Sequence, residues 1–285
     1  MTVTPTRETP RTSEEICHVS VGMLGCRLLG HWKGTRGSTV LTAVTFDLWQ
    51  TLIVDTPEGL QQARAERVRG MTAVLAREGH VANDAAVDRA YETVGERLGN
   101  LWAEQRDLGS RGQVRMLLEA LELAERVPTD GPAMDALDEA YRLPILAALP
   151  LANAGAREVL EVFSRSGLRL ALICNTGRTP GSMLRLVLDR LGLKAYLRVL
   201  TFSDEVGLRK PHPEIFRRTL AALGVSPCEA AHVGDDVTTD VAGARGVGMQ
   251  AIHLCHPGSA STHSAGVRSI SGLADLPAAL FGKVL

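Results

Sequence analysis

Hydrophobic and polar residues follow two rhythms along this chain, and the change of rhythm divides it. From Val40 onward, short apolar runs each end on a polar residue or a turn: "LTAVTFD" (41–47), "RLALICNT" (169–176), "LRVLTFS" (197–203), "AAHVGDD" (230–236) and "MQAIHL" (249–254). Runs of this length bounded by turn signals predict buried strands. Between them apolar residues recur every three or four positions, over 180–192, 212–223 and 238–246 and over "AGAREVLEVFSRSG" before the second strand. That spacing predicts helices of about three turns. Strand and helix in alternation predict parallel βαβ units, hence an α/β fold with a doubly wound parallel sheet. Functional groups in such sheets gather beyond the carboxyl ends of the strands. Asp47, Asn175, Asp204 and Asp235 stand there on this reading.

Between 57 and 149 the alternation stops. "EGLQQARAERVRGMTAVLAREG", "NDAAVDRAYETVGERLGNLWAEQRD", "GQVRMLLEALELAERV" and "PAMDALDEAYRLPILAAL" all carry helical periods and contain no convincing strand. The expected organisation is a core built from 39–56 and 150–285, with 57–149 as an all-helical insert that lids the sheet's carboxyl edge. Residues 1–38 read as an extension. Its opening, "MTVTPTRETPRTSEE", is polar, holds two prolines and has no period, so disorder is expected. The following "VSVGMLGCRLLG" is short, Gly-rich and preceded by Glu8, Glu14 and Glu15, unlike a secretion signal; an upstream start codon would explain it.

Composition narrows the partners. Across 285 residues, 31 basic and 32 acidic side chains leave a net charge of −1, which favours neither nucleic acid nor anionic lipid. No apolar run approaches the roughly 20 residues of a membrane-spanning helix. The cysteines, Cys17, Cys26, Cys174, Cys228 and Cys255, are odd in number and lack CxxC spacing, which suits a reducing cytoplasm. The expected partner is a small anionic molecule, and the expected state a monomer or homodimer.

The chemistry concentrates in "FDLWQTL", "LICNTG", "GLRKPHPEIF" and "HVGDDVTTD". A carboxylate nucleophile must be aimed and electrostatically tolerated. A stiff strand end aims Asp47. Asp235, with Asp236 or Asp240, would gather beside it, and clustered carboxylates require a cation. Oxygen-only donors suit Mg²⁺. Lys210, one of a few lysines in an Arg-rich chain, supplies a fixed positive charge. Taken one at a time, these aspartates read equally well as turn or loop caps.

In this order, with a helical insert after the first, the four segments resemble the haloacid dehalogenase-like hydrolase superfamily with a type-1 helical cap. The likeness covers 41–285 and rests most heavily on "KPxPxxF" followed by "VGDDxxxD". The resemblance implies that Asp47 is the nucleophile, attacking phosphorus in line. It also implies that the Trp49 carbonyl and Asp235 help bind Mg²⁺, that Asp240 orients water or serves as an inner ligand, that Asp236 is a further neighbour, and that Thr51 pins the Asp47 loop.

Two departures stand out. Phosphatases of the superfamily usually carry a second Asp two places after the nucleophile, as general acid; here that place is Trp49, whose indole cannot protonate an alkoxide. Loss of general acid–base help costs about 10²–10⁴ in rate. Leaving groups that are stable anions, as in acyl phosphates and anhydrides, would suffer least. Where the second motif normally places Ser or Thr stands Cys174, a weak donor that also reads as a small buried hydrophobe. Asn175 and Thr176 are the stronger candidates there.

Four readings compete. A Mg²⁺-dependent phosphatase explains Asp235, Asp236 and Lys210. A 2-haloacid dehalogenase explains Trp49, because halide leaves without a proton, but such enzymes lack the metal-type "VGDD". A phosphonate hydrolase would need a cap lysine, and 57–149 contains none. A non-hydrolytic Mg²⁺/phosphate binder, or a carbocation cyclase, is the last; aromatics at 4% argue against the cyclase. Arg64 and Arg67, spaced i, i+3 on the first helix of the insert, fit a clasp for a carboxylate or phosphate, or a solvated helix face. "HLCHPGSASTH" has zinc-type side chains but reads as a surface loop.

Overall fold

The computed structural model describes residues 40–256 and 266–282, so the extension over 1–38 lies outside the described residues. In chain order the elements are β1 (Ala43–Phe46), β2 (Ile53–Val54), α1 (Pro57–Arg77), α2 (Asp84–Ala103), α3 (Ser110–Ala120), α4 (Pro132–Arg142), β3 (Leu151–Ala152), α5 (Ala156–Arg165), β4 (Arg169–Cys174) and α6 (Gly181–Arg190). There follow β5 (Val199–Phe202), α7 (Ser203–Val206), α8 (Pro213–Leu223), β6 (Ala230–Gly234), a π-helical turn (Val237–Ala242), α9 (Gly243–Gly246), β7 (Gln250–Leu254), β8 (Arg268–Ile270) and α10 (Leu276–Phe281).

Six strands form one parallel sheet in the order β5-β4-β1-β6-β7-β8. The chain builds outward from β1 to β5, then crosses to β6 on the other side of β1. Strand order therefore reverses at β1 and β6, the place where open α/β sheets bind ligands. Both faces of the sheet are buried. Val44, Phe46, Leu170 and Leu172 pack under α5, α6 and α10, while Ala43, Ala171 and Ile173 pack under α8 and α9. Buried on both sides, the strands read as continuous apolar runs. Cys174 belongs to the first of these clusters and is fully buried, so its thiol is a core side chain.

The predicted strands and helices are present, with differences in detail. The stretch 238–246 opens as a π-helical turn before α9. Leu143–Leu146 leaves α4 as a 3₁₀ turn, with Pro144 inside it. β8 extends the sheet by a strand that the pattern did not announce; at three residues, only Ile270 of which is buried, it is too short to show a period.

Helices α1–α4 enclose their own apolar cluster, including Met71, Leu98, Leu117, Leu137 and Tyr141. α1 starts at Pro57 with Thr56 as N-cap, its hydroxyl accepting from Gly59 N at 3.0 Å. The chain enters and leaves this helical block beside the antiparallel β2–β3 pair, Ile53 opposite Ala152.

A buried polar knot ties the block to the sheet edge. Asp107, between α2 and α3, accepts from Ser203 Oγ (2.5 Å), Arg209 Nη1 (2.6 Å), Thr176 Oγ1 (3.1 Å), Trp102 Nε1 (3.1 Å) and its neighbour's amide, Leu108 N (2.9 Å). Backbone bonds run alongside, Asp107 N to Gly207 O and Arg209 N to Gln105 O. Gln113 Nε2 also donates to Gly177 O at 3.0 Å. Breaking a buried charged pair from one side costs about 3–5 kcal/mol. Asp107→Ala is therefore expected to lower the melting temperature by roughly 10 °C, with Asp107→Asn intermediate. Differential scanning calorimetry checks this, and a shift within about 1 °C would show that the knot contributes little.

Candidate active site

At the strand-order reversal, the end of β1 carries Asp47, its amide held by Val233 O at 2.9 Å. The next residues fold tightly: Leu48 O accepts from the amides of Thr51, Leu52 and Ile53, and Gln50 adopts φ +57°, left-handed for a non-glycine. Lys210 lies opposite, 3% exposed. Its Nζ donates to Asp47 Oδ1 at 2.5 Å and Asp240 Oδ1 at 2.6 Å. Asn175 holds this lysine in place with both ends of its amide, Oδ1 accepting from Lys210 N (2.7 Å) and Nδ2 donating to Lys210 O (3.0 Å).

Asp240 arrives from the π-helical turn after β6. It packs so closely over Gly234 that a Cβ there would stand 2.2 Å from its carboxyl carbon. This is why the "VGDD" segment has glycine at that place. The imidazole of His232 sits between two partners, Thr45 Oγ1 at 2.7 Å from Nδ1 and Asp240 Oδ1 at 3.1 Å from Nε2. Burial lowers its pKa, so the ring is neutral; with the proton on Nε2 it donates to Asp240 and accepts from Thr45. Asp240 Oδ2 also accepts from Asp236 N at 3.1 Å.

Carboxylate oxygens of Asp47, Asp235 and Asp240 lie within 4.8 Å of one another. Three carboxylates and one ammonium do not balance. For Asp240, burial acts upward, but Lys210 and His232 outweigh it and hold its pKa well below the usual range. Asp47 has the same ammonium and fewer donors. Burial is its largest influence, and its pKa is pushed up to about 7. Asp235 is raised as well, again chiefly by burial and then by Asp240. Burial works against the charge on Lys210, but its two carboxylates outweigh that and keep it firmly protonated. The surplus negative charge and the all-oxygen donor set fit a hard divalent cation such as Mg²⁺. Asp47, Asp235 and Asp240 are the residues that would hold it.

Several expectations change here. Asp236 does not point at this cluster; its Oδ1 caps the π-helical turn, accepting from Thr238 N (2.8 Å) and Thr239 N (2.7 Å). Thr51 is fully buried with no partner for its hydroxyl among the described residues, and the loop is pinned instead through its carbonyl, which accepts from Asn153 Nδ2 at 2.9 Å. The Thr176 hydroxyl is taken up by Asp107 and Ser203, which removes it as a phosphoryl donor. Asp204 caps α6, accepting from Gly181 N. Arg64 reaches outward to Asp88 (2.8 Å) and to Glu92. From "HLCHPGSASTH", His253 contacts the Asp235 carbonyl (3.0 Å) and His256 the Gln50 carbonyl (2.5 Å), so both brace the site backbone; 257–265 lies outside the described residues.

Next to the cluster a cavity of about 390 Å³ opens between the helical block and the sheet edge. Its walls include Trp49, Asp55, Arg64, Arg67, Tyr91, Trp102, Asn175, Arg178 and Arg209. Asp47 is not part of the wall, but its neighbour Trp49 and the lysine clamp Asn175 are.

A profile of haloacid dehalogenase-like hydrolases matches residues 41–248. The chain belongs to this hydrolase family. It is 34% identical over 217 residues to a ribulose-1,5-bisphosphate 5-phosphatase of Halopiger xanaduensis, covering 74% of this chain and 83% of that one. A haloacid dehalogenase-like hydrolase domain-containing protein 3 of Xenopus laevis is 39% identical over 103 residues, 36% of this chain and 40% of that protein. Among solved structures, a 2-haloacid dehalogenase of Pseudomonas syringae pv. Tomato matches with TM-score 0.63 and 25% identity, over 85% of this chain and 98% of that one. A phosphatase of the superfamily from Thermococcus onnurineus gives TM-score 0.57 and 26% identity, over 86% and 100%.

The residues bearing on the site that the sequence did not announce are His232, Asp107, Arg178 and Arg209. "AAHVGDD" placed His232 on a strand whose two faces are both covered, a signal that was available. Asp107 had none, because its partners come from four separate segments.

Burial raises the Asp47 carboxyl toward neutral pH, so a cation that needs its carboxylate competes there with a proton. Calorimetric Mg²⁺ titrations in two buffers of different ionisation enthalpy should show proton release near neutral pH that falls toward zero by about pH 9. Release that does not change with pH would contradict the assignment.

Proposed function

We propose that this hydrolase is a Mg²⁺-dependent phosphatase of a small phosphorylated metabolite, working through an aspartyl-phosphate on Asp47. The observation that carries this reading is Lys210, held by Asn175 and shared between Asp47 and Asp240, with Asp235 completing an oxygen-only cluster. The names of relatives support it, since the Halopiger protein is a ribulose-1,5-bisphosphate phosphatase and a Thermus thermophilus relative a phosphoserine phosphatase.

In this reading an Asp47 carboxylate oxygen attacks phosphorus as the bond to the leaving oxygen breaks; that oxygen departs as an anion that takes any proton from solvent, and water then attacks the acyl phosphate, giving inorganic phosphate and the free Asp47 carboxylate. Lys210 keeps Asp47 from being repelled by the anion it attacks, and stabilises the transferring oxygens. His232 and the Asp236 amide hold Asp240 in its charged form. A bound Mg²⁺ would offset negative charge shared between the carboxylates and the phosphoryl group. Trp49, with its carbonyl as a candidate ligand and its indole in the cavity wall, cannot give a proton to an alkoxide.

A second reading has two observations in its favour. Trp49 and the likeness to a 2-haloacid dehalogenase both suit a reaction whose leaving halide needs no proton. The Asp235–Asp240 pair weighs against it, because a haloacid offers no developing phosphoryl charge for a cation to meet.

Small phosphates and 2-haloacids, each assayed with Mg²⁺ and with EDTA, separate the two. Phosphate release that EDTA abolishes and Asp47→Asn removes is expected; chloride release indifferent to EDTA would favour the dehalogenase. With Trp49→Asp, monoester hydrolysis should rise by about 10²-fold or more. A fall would show that more than the acid is missing.

A further inference from the structure

Four arginines line the cavity beside Asp47, against a single acidic residue, Asp55. Two of them are already neutralised, Arg64 by Asp88 and Glu92 and Arg209 by Asp107. The other two are not. Arg67, only 5% exposed, donates from Nε to Tyr141 O (2.7 Å) and from Nη2 to Thr179 Oγ1 (3.0 Å). Arg178 donates to the Tyr141 hydroxyl (3.1 Å) and Tyr91 O (2.9 Å), and its guanidinium lies 4.1 Å over the Tyr91 ring. Neither has a carboxylate within 4.0 Å among the described residues. Arg67 is buried and Arg178 half-buried; a cation withdrawn from water is almost always paired, because an unpaired one loses hydration without compensation. Here neutral acceptors fix both guanidinium planes and use two of the five N–H donors of each. Aromatic and aliphatic side chains, among them Trp102, Ile145 and Leu149, also line the cavity.

We infer that Arg67 and Arg178 form a subsite for a second anionic group of the substrate. This rests on the phosphatase reading and narrows it: the substrate is a small phosphorylated molecule whose short carbon skeleton ends in a carboxylate or a second phosphate. The phosphoryl group meets Asp47 and Lys210, and the other anion meets the two guanidiniums. A guanidinium that binds planar anions through paired N–H groups suits either chemistry.

The test uses the Mg²⁺-loaded full chain and three substrates of similar length: a polyol bisphosphate, a phosphorylated hydroxy acid and glycerol phosphate. The expected result is a kcat/KM at least about 10-fold higher for one or both doubly anionic substrates than for glycerol phosphate. Arg178→Gln should cut that ratio by about 10- to 100-fold, chiefly through KM, with Arg178→Lys recovering part of it. Which doubly anionic substrate wins distinguishes a phosphate from a carboxylate subsite. Arg67→Lys, which keeps the buried charge, is the second variant if Arg67→Gln fails to fold. An unchanged ratio in folded Arg178 variants, or no preference in the wild type, overturns the subsite while leaving the phosphatase intact. Thermal shifts of Asp47→Asn with the same compounds cover the opposite case. Arg178-dependent stabilisation by the doubly anionic compounds, with no phosphate released by the wild type, keeps the subsite and removes the phosphatase reading.

Discussion

Three carboxylates crowd around one buried ammonium, and most of the local structure serves that arrangement. Lys210 cannot neutralise Asp47, Asp235 and Asp240 together. The protein divides the single positive charge unevenly. Asp240 receives the extra donors and stays ionised, whereas Asp47 bears the cost of burial. The neighbouring sequence follows from this. Gly234 leaves room for Asp240, Thr45 and His232 orient a donor toward it, and Asn175 fixes the backbone of Lys210.

The helical block is tied to the same edge by a second charged group. Asp107 gathers Ser203, Thr176 and Arg209, and in doing so takes the hydroxyl that the second motif was expected to offer a phosphoryl group. One side chain therefore bears on both stability and chemistry. The knot leaves a cavity walled by arginines, only some of which have acidic partners. Positive charge in the cavity and surplus negative charge beside it suit one bound molecule that carries anions and meets a cation.

The sheet was legible because strands buried on both faces spell themselves as apolar runs, and because the carboxyl ends of β1 and β6 fall at the reversal of strand order. The helices from 57 to 149 were legible from their period. Asp47, Lys210, Asp235 and Asp240 were found through short motifs in which local spacing fixes which side chains share an edge. Where sequence reasoning went astray, the deciding partner was distant in the chain. Asp236 and Asp240 look alike in "VGDDVTTD", and only the π-helical turn sends one inward and makes the other a cap. Thr176 lost its expected role to Asp107, 69 positions away. Arg64 and Arg67 share a helix face by spacing, but α2 supplies acids to the first and neutral acceptors meet the second.

The claim beneath all of this is that the site's excess negative charge is completed by one divalent cation. Anomalous diffraction from crystals equilibrated with Mn²⁺ tests it most directly. The account predicts a single strong peak about 2 Å from carboxylate oxygens drawn from Asp47, Asp235 and Asp240, and none at Asp236. No peak there at saturating Mn²⁺, or a peak held by other residues, would contradict it.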